Sequence, residues 1–235
     1  MSGGTSPLGV LFEMIKRMRK DIDLPGSQGW QHYYNLARYN RYFLSCLLCA
    51  HPLRISMLMD LKIGENLYKD ESGEWRIRFI NHRFKNRRYL SAKSKYDVKS
   101  PVWFQTILDE YIGSFRPLMP GGSNDENGKP LCEYLIRPAI MHGNFGHCKR
   151  VSTITSAKWV YEATKIYLPE TGGFNPHAFR HIVGTHLLKL DPNNVMFVAK
   201  ALHISRDTVE RVYAHLLMGD WEIEYTYIQD KLWNK

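Results

Sequence analysis

Two basic side chains at the start of a predicted helix are the first residues in this sequence that could do chemistry. Asn175 is a favourable N-cap residue and Pro176 suits the first helical turn, so we expect a helix to begin here. His177 and Arg180 are three residues apart and share one face of that helix. An imidazole and a guanidinium near a helix N-terminus suit a phosphate group. An amphipathic helix with a solvated arginine has the same spacing, so the motif needs support from elsewhere.

Groups with related chemistry lie at three other places in the chain. Arg54 opens the stretch Arg-Ile-Ser-Met-Leu-Met-Asp, where a helix is predicted. Lys85 lies in a basic stretch, residues 83–88, between two segments that alternate polar and apolar residues as strands do. His203 is followed ten residues later by Tyr213, in the context Val-Tyr-Ala-His. The chain therefore carries, in order, an arginine, a lysine, His-x-x-Arg, a histidine and a tyrosine.

These residue types fit the attack of a tyrosine on a phosphodiester. A tyrosine hydroxyl has an ordinary pKa of about 10, so Tyr213 needs help to act as a nucleophile at neutral pH. Attack places negative charge on two non-bridging oxygens, which the guanidiniums of Arg54 and Arg180 can bind without losing their own charge. One preorganised donor of this kind is worth about 3–4 kcal/mol. His177 is the better candidate to accept the tyrosine proton, and both His177 and His203 can donate hydrogen bonds to the phosphate.

Each candidate also has an ordinary structural interpretation. Arg54 would then be a surface arginine, Lys85 a solvated charge at a hairpin tip, and His203 a histidine at a helix end. Tyr213 would be one of fourteen tyrosines that pack in the protein. The order and spacing of the whole set favour the chemical interpretation over these alternatives.

The set resembles the catalytic domain of the tyrosine recombinase (phage integrase) family, over about residues 30–218. The family pattern is an early arginine, a lysine on a β-hairpin, His-x-x-Arg, a Leu-Gly-His-like step and a nucleophilic tyrosine nine or ten residues later. The resemblance implies that Tyr213 is the nucleophile and that Lys85 protonates the departing 5′-hydroxyl, with Arg83 and Lys93 as alternatives. It also implies a 3′-phosphotyrosyl intermediate that needs no metal or other cofactor.

The sequence departs from the family pattern at two positions. Leu202 stands where the Leu-Gly-His step has its glycine, and Met57 stands where the family usually has a glutamate soon after the first arginine. Neither change removes a reacting group. Both are expected to alter local backbone or side-chain geometry, and Leu202 bears directly on the loop before His203.

The resemblance implies a site-specific DNA recombinase or integrase whose partner is double-stranded DNA, working as a homo-oligomer of up to four protomers inside the cell. A formal net charge of +9 is consistent with binding to nucleic acid. Two alternatives stay open. One is a DNA breaking and rejoining enzyme of the type IB topoisomerase or telomere resolvase kind. The other is a non-catalytic DNA-binding protein on the same fold.

The elements that must position these residues form a mainly α fold with a small antiparallel β-sheet. Residues 1–29 are interpreted as a leader helix and linker, or the remnant of an N-terminal DNA-binding domain, and residues 30–218 as the catalytic domain. Residues 219–235 are predicted to be a helical tail that packs on its own core or on a neighbouring protomer. Helices are predicted at 8–22, 30–50, 53–62, 102–115, 156–167, 176–190, 195–202, 205–218 and 220–235, and strands at 74–80 and 88–92.

The remaining composition predicts few other kinds of site. Four cysteines in 235 residues do not make a disulfide framework, and a reduced, intracellular protein is the better interpretation. Cys132, His142, His147 and Cys148 lie near one another in sequence, but their spacing matches no recognised zinc motif. No apolar run of 18 residues is present, so no transmembrane helix is predicted.

Overall fold

The described residues form a mainly helical architecture with one three-stranded sheet. A computed structural model describes residues 6–23, 30–80, 95–139 and 148–218. The predicted mainly α fold with a small antiparallel sheet is confirmed. The helices are α1 (Pro7–Lys20), α2 (Trp30–Ala50), α3 (Ile55–Met59), α4 (Val102–Glu110), α5 (Thr153–Tyr167), α6 (Pro176–Leu190), α7 (Val195–Leu202) and α8 (Arg206–Met218), and the strands are β1 (Leu67–Lys69), β2 (Trp75–Ile80) and β3 (Lys95–Lys99).

Aromatic side chains of α2 form the centre of the main core. The ring of Tyr39 stacks on Phe115 with 3.5 Å between centroids, and Phe43 stacks on Tyr111 at 3.8 Å. All four rings are fully buried, and each such ring removes about 150–250 Å² of surface from water. The apolar face of α1 lies in the same core, through Leu11, Met14, Ile15 and Met18.

The sheet has β2 at its centre, with β1 and β3 antiparallel on either side. Ile77 and Phe79 of β2 are buried while Arg78 and Ile80 are exposed, which is the alternation that predicted this strand. β1 and β3 were not predicted, because each is short and has mixed polarity. The predicted strand at 88–92 and the candidates Lys85, Arg83 and Lys93 lie outside the described residues.

Two helices end earlier than their patterns indicate. A helix predicted over 53–62 is α only from Ile55 to Met59, because from Leu61 the backbone pairs with a later segment: Leu61 C=O accepts from Leu135 N–H at 2.8 Å. The helix predicted over 102–115 ends its α-helical part at Glu110 and continues as a π-helical turn, Tyr111–Phe115. The tail predicted at 220–235 lies outside the described residues.

The helices that carry the candidate site enclose a second, smaller apolar cluster. Its members come from α6, α7 and α8, and are Leu188, Val198, Ala199, Leu202, Val209 and Tyr213. The start of α6 is as predicted: the Asn175 side chain accepts a hydrogen bond from the His177 N–H at 2.9 Å, and Pro176 is the first helical residue. Over the described part of the chain, no helix combines the length and apolar character needed to cross a membrane.

Candidate active site

A cleft of about 300 Å³ opens where three helices begin. Arg54 and Ser56 reach it from the start of α3, Thr153 from the start of α5, and His177 and Arg180 from the first two turns of α6. Ile55 and Pro176 complete its lining. The N-termini of α5 and α6 lie at this cleft through Thr153 and Pro176, and the positive ends of their helix dipoles favour an anion there.

Arg180 forms hydrogen bonds with the segment that precedes Arg54 and with the residue that precedes His203. Its Nη2 donates to the Leu202 carbonyl at 2.9 Å, and its Nη1 donates to the Pro52 carbonyl. The side chain is only 5% exposed, and burial followed by the charge of Arg54 lowers the pKa of Arg180 to about 10. The guanidinium therefore stays protonated at neutral pH, and Arg180 is also one of the residues that line the cleft.

Arg54 adds a second positive charge to the cleft. It is the N-cap residue of α3, half-buried, with an extended backbone at φ −63° and ψ 139°. Within residues 6–23, 30–80, 95–139 and 148–218, no ion pair joins Arg54 or Arg180 to an acidic side chain. Two neighbouring guanidiniums repel each other, and an anion bound between them removes that repulsion.

His177 is exposed at the mouth of the cleft and packs edge-on against His181, with 4.5 Å between ring centroids. Partial burial is the largest cause that lowers the pKa of His177, and the charges of His181, Arg180 and Arg54 lower it further. The imidazole is therefore neutral at pH 7 and has a lone pair that can accept a proton. His177 and His181 are four residues apart and therefore share one face of α6.

His203 ends α7 in a left-handed backbone conformation, with φ of 51°. His203 follows Leu202, the residue at which the sequence departs from the Gly-His pattern, and its left-handed conformation, which glycine adopts more readily, costs about 1–2 kcal/mol. The side chain is 9% exposed, and burial, then the charges of Arg54 and Arg180, lower the pKa of His203 to about 4. His203 is thus a neutral group within electrostatic reach of both arginines.

Tyr213 is buried, with 3% of its surface exposed, and its hydroxyl packs on α6. A Cβ atom on Gly184 would lie 2.7 Å from the Tyr213 hydroxyl oxygen, so only glycine leaves room for it there. The tyrosine ring lies 5.8 Å from that of His181. Burial raises the pKa of Tyr213, and the charge of Arg180 opposes that rise.

The structure thus brings Arg54, His177 and Arg180 to one cleft and buries His203 and Tyr213. Neither His203 nor Tyr213 is among the residues that line the cleft. Lys85 lies outside the described residues, so its role stays a prediction. The described residues contain no group of three or more His, Cys, Asp or Glu side chains that could bind a metal ion.

Sequence reasoning missed two polar residues of the cleft and the glycine behind it. Ser56 follows Arg54 by two residues and could have been found from that proximity. Thr153 comes from a distant helix, and nothing in its sequence context indicates a site. Gly184 is an isolated glycine in a predicted helix. Such a glycine often indicates close packing, but the sequence does not show which residue packs against it.

Solved structures with the same arrangement of elements include the site-specific recombinase XerH. Its pre-cleavage complex with the difH substrate superposes with a TM-score of 0.57 at 16% identity, covering 87% of this chain and 48% of XerH. Its post-cleavage complex with a palindromic difH substrate gives 0.59 at 16% identity, covering 95% and 52%. This chain has the fold of a tyrosine recombinase catalytic domain.

The superpositions cover most of this chain, but the chain spans only about half the length of the XerH chains. No protein-family model and no curated protein matches the sequence. At 16% identity the likeness concerns the fold, and what the site does must be argued from its own residues.

Proposed function

We propose that this protein is a tyrosine recombinase that cleaves and rejoins duplex DNA through a covalent 3′-phosphotyrosyl intermediate. One observation carries the proposal. Arg54 and Arg180 stand side by side at a cleft with a neutral His177, and no carboxylate among the described residues compensates them. A phosphodiester carries one negative charge and gains more in the transition state, so it would compensate the positive charge of the two arginines.

The reaction places the phosphate between the two guanidiniums, which bind its non-bridging oxygens. The Tyr213 oxygen attacks phosphorus while its proton passes to His177, and the bond from phosphorus to the 5′-oxygen breaks. That oxygen leaves as a 5′-hydroxyl after taking a proton from a side chain of the segment 81–94, where Lys85 is the proposed donor and Arg83 and Lys93 are the alternatives. A strand with a free 5′-hydroxyl reverses these steps and restores a phosphodiester.

The low pKa values of the two histidines suit them to different parts of this reaction. His177 is neutral and exposed, so it can accept the tyrosine proton. His203 is neutral and nearly buried, so in the appropriate tautomer it donates one N–H toward the phosphate. A bound phosphate raises the pKa of both rings, because an opposite charge favours their protonated forms.

Cleavage requires the Tyr213 hydroxyl to leave its contact with Gly184. In the free protein that hydroxyl is packed against α6 and does not line the cleft. We infer that DNA binding moves α8, or rotates the Tyr213 side chain, until the oxygen faces the phosphate. The buried position keeps the nucleophile inactive until a substrate is present.

The surrounding protein is proposed to bind duplex DNA mainly through phosphate contacts. The net charge of +9 favours such contacts, and the XerH structures are complexes with difH DNA. We also propose that up to four protomers assemble on DNA inside the cell. Residues 1–29 would be a leader helix and linker or the remnant of an N-terminal DNA-binding domain, and residues 219–235 a helical tail. Binding should weaken steeply with salt.

A suicide substrate tests the proposed activity. Nicked genomic fragments from the source organism are incubated with the protein, and the products are resolved on a denaturing gel. After cleavage near a nick, the short strand with the 5′-hydroxyl dissociates, so religation is prevented. Wild type is expected to form a covalent protein–DNA complex, and sequencing the trapped ends gives the target site. Intact DNA binding without any covalent complex would favour a non-catalytic DNA-binding protein on this fold.

A further inference from the structure

A buried histidine outside the proposed catalytic set joins the sheet to the loop that carries Arg54. His51 has no exposed surface. Its Nδ1 lies 3.1 Å from the Tyr96 hydroxyl and its Nε2 lies 2.9 Å from the Ser100 hydroxyl, so both ring nitrogens have partners on or just after β3. Its own backbone follows α2, with the His51 N–H donating to the Leu47 carbonyl at 2.8 Å.

Each end of this junction leads to a residue of the candidate site. The ring of Tyr96 meets that of His203 edge-on, with 5.7 Å between centroids and an angle of 86° between planes. On the other side, His51 precedes Pro52, whose carbonyl accepts a hydrogen bond from Arg180. A displacement of the His51 ring would therefore change the positions of both the His203 ring and the Arg180 guanidinium.

The chemistry of the junction explains why a histidine stands there. Burial lowers the pKa of His51 to about 3, so its ring is neutral and carries one N–H and one lone pair. A hydroxyl can donate or accept, so Tyr96 and Ser100 satisfy either tautomer. Tyr96 and Ser100 are themselves buried, at 4% and 0% exposure, and the three groups form a closed polar network in an apolar core.

We propose that His51 is a positioning residue for DNA cleavage, which sets the placement of His203 through Tyr96 and that of Arg180 through Pro52. The inference rests on the proposed function, because positioning has meaning only if the cleft cleaves DNA. It extends that function in one respect. β3 begins at Lys95, after the segment 81–94 that contains Lys85, so the junction links the strand leaving that segment to the phosphate cleft.

The sharpest variant is Tyr96→Phe, which removes one oxygen and keeps the ring that contacts His203. Its matched control is Tyr68→Phe on β1, which removes a hydroxyl bonded to Arg78 and Asp97 in the same sheet. We expect Tyr96→Phe to lower the single-turnover cleavage rate by about tenfold, the equivalent of one lost hydrogen bond, with DNA affinity within about twofold of wild type. Tyr68→Phe should cleave at the wild-type rate.

Rescue and coupling distinguish positioning from a general structural role. His51→Gln keeps a donor and an acceptor, and should recover part of the rate that His51→Leu loses. His51→Leu and Tyr96→Phe combined should cost less than the product of their separate effects, since both break the same contact. Independent, multiplicative effects, or equal rate losses in Tyr68→Phe and Tyr96→Phe, would overturn the proposal.

A measurement on the DNA-free protein separates this proposal from the proposed activity. The ring signals of His203 in a ¹³C–¹H correlation spectrum should shift in His51→Gln and in Tyr96→Phe, and stay in place in Tyr68→Phe. If wild type never forms a covalent complex, the proposed function fails, while shifted His203 signals still support the link from His51. If wild type cleaves and neither rate nor His203 signals respond to the Tyr96 change, the positioning proposal is wrong.

Discussion

The Tyr213 hydroxyl packs against the α-carbon of Gly184, so closely that a methyl group in place of the glycine hydrogen would lie 2.7 Å from the hydroxyl oxygen. Leu202 contacts the same point, since that methyl group would also lie 3.0 Å from the Leu202 Cδ1. The proposed nucleophile and the residue that departs from the family's Gly-His step thus share one packing site on α6.

Gly184→Ala should displace the Tyr213 side chain. Alanine in a helix interior is favoured over glycine by about 0.5–1 kcal/mol, and the end of a tyrosine side chain can move aside, so the protein should stay folded. Tyr213 should then react faster with a tyrosine-specific reagent such as tetranitromethane, as read by peptide mass spectrometry. Gly113→Ala is the control, because a Cβ there meets no atom within 4 Å. Unchanged reactivity of Tyr213 in Gly184→Ala would show that the contact does not restrain it.

A divalent anion should stabilise the protein through the cleft. Sulfate at ten times its dissociation constant would contribute about 1.4 kcal/mol, which raises Tm by about 3–5 °C for a chain of this size. Chloride at equal ionic strength should not do so. Arg54→Met should lose the effect, whereas Arg206→Met, which removes an exposed arginine paired with Glu210, should keep it. Equal stabilisation of Arg54→Met and wild type by sulfate would place the anion elsewhere.

The buried His51 should make stability depend on pH in the acidic range. Its pKa is about 3 in the folded protein and about 6.5 when unfolded, so the unfolded state binds the proton more readily between these values. Stability is therefore complete above pH 6.5 and lost as the pH falls toward 3. Between pH 7 and pH 4.5 this one group should cost wild type about 2–3 kcal/mol in the free energy of unfolding.

Denaturant titrations at both pH values measure that dependence. Carboxylates contribute to the slope in every variant, so the informative quantity is the difference between wild type and His51→Gln, which should lose most of the His51 contribution. His32→Gln, on α2 with its ring against Tyr33, is the control and should behave as wild type. Parallel curves for His51→Gln and wild type would contradict a neutral, buried His51.

Cleavage should decline at acid pH with the protonation of His177. Burial and its positive neighbours lower the pKa of His177, so the acidic midpoint of the cleavage rate at subsaturating DNA should lie below the ordinary histidine value of about 6.5. The rate falls as the pH falls, because the protonated ring cannot accept the tyrosine proton. His177→Gln should be slower and lose this midpoint. A midpoint retained in that variant would assign it to another group.

Much of the site could be predicted from local sequence, because its key elements are set by local rules. Asn175 and Pro176 fix the start of α6, and the three-residue spacing fixes the shared face of His177 and Arg180. Long-range packing could not be predicted in this way. The Pro52 carbonyl that binds Arg180, the cleft residue Thr153 and the contact of Tyr213 with α6 all join segments far apart in the chain.

The short elements were predicted incorrectly for a related reason. The helix at Arg54 ends at Met59 because backbone pairing to residues near Leu135 competes with further helical turns. β3 was missed because its charged residues give no clear alternation, while its pairing with β2 supplies the stability. Lys85 lies outside the described residues, and its assignment over Arg83 and Lys93 still rests on the sequence.

The central claim is that Tyr213 forms the covalent bond to DNA, and peptide mapping of the trapped complex tests it most directly. After the suicide-substrate reaction, the DNA is digested to a short nucleotide remnant and the modified peptide is sequenced by mass spectrometry. The remnant should be attached to Tyr213, and Tyr213→Phe should give no covalent complex while it still binds DNA. A remnant on another tyrosine, or trapping by Tyr213→Phe at the wild-type level, would contradict the assignment.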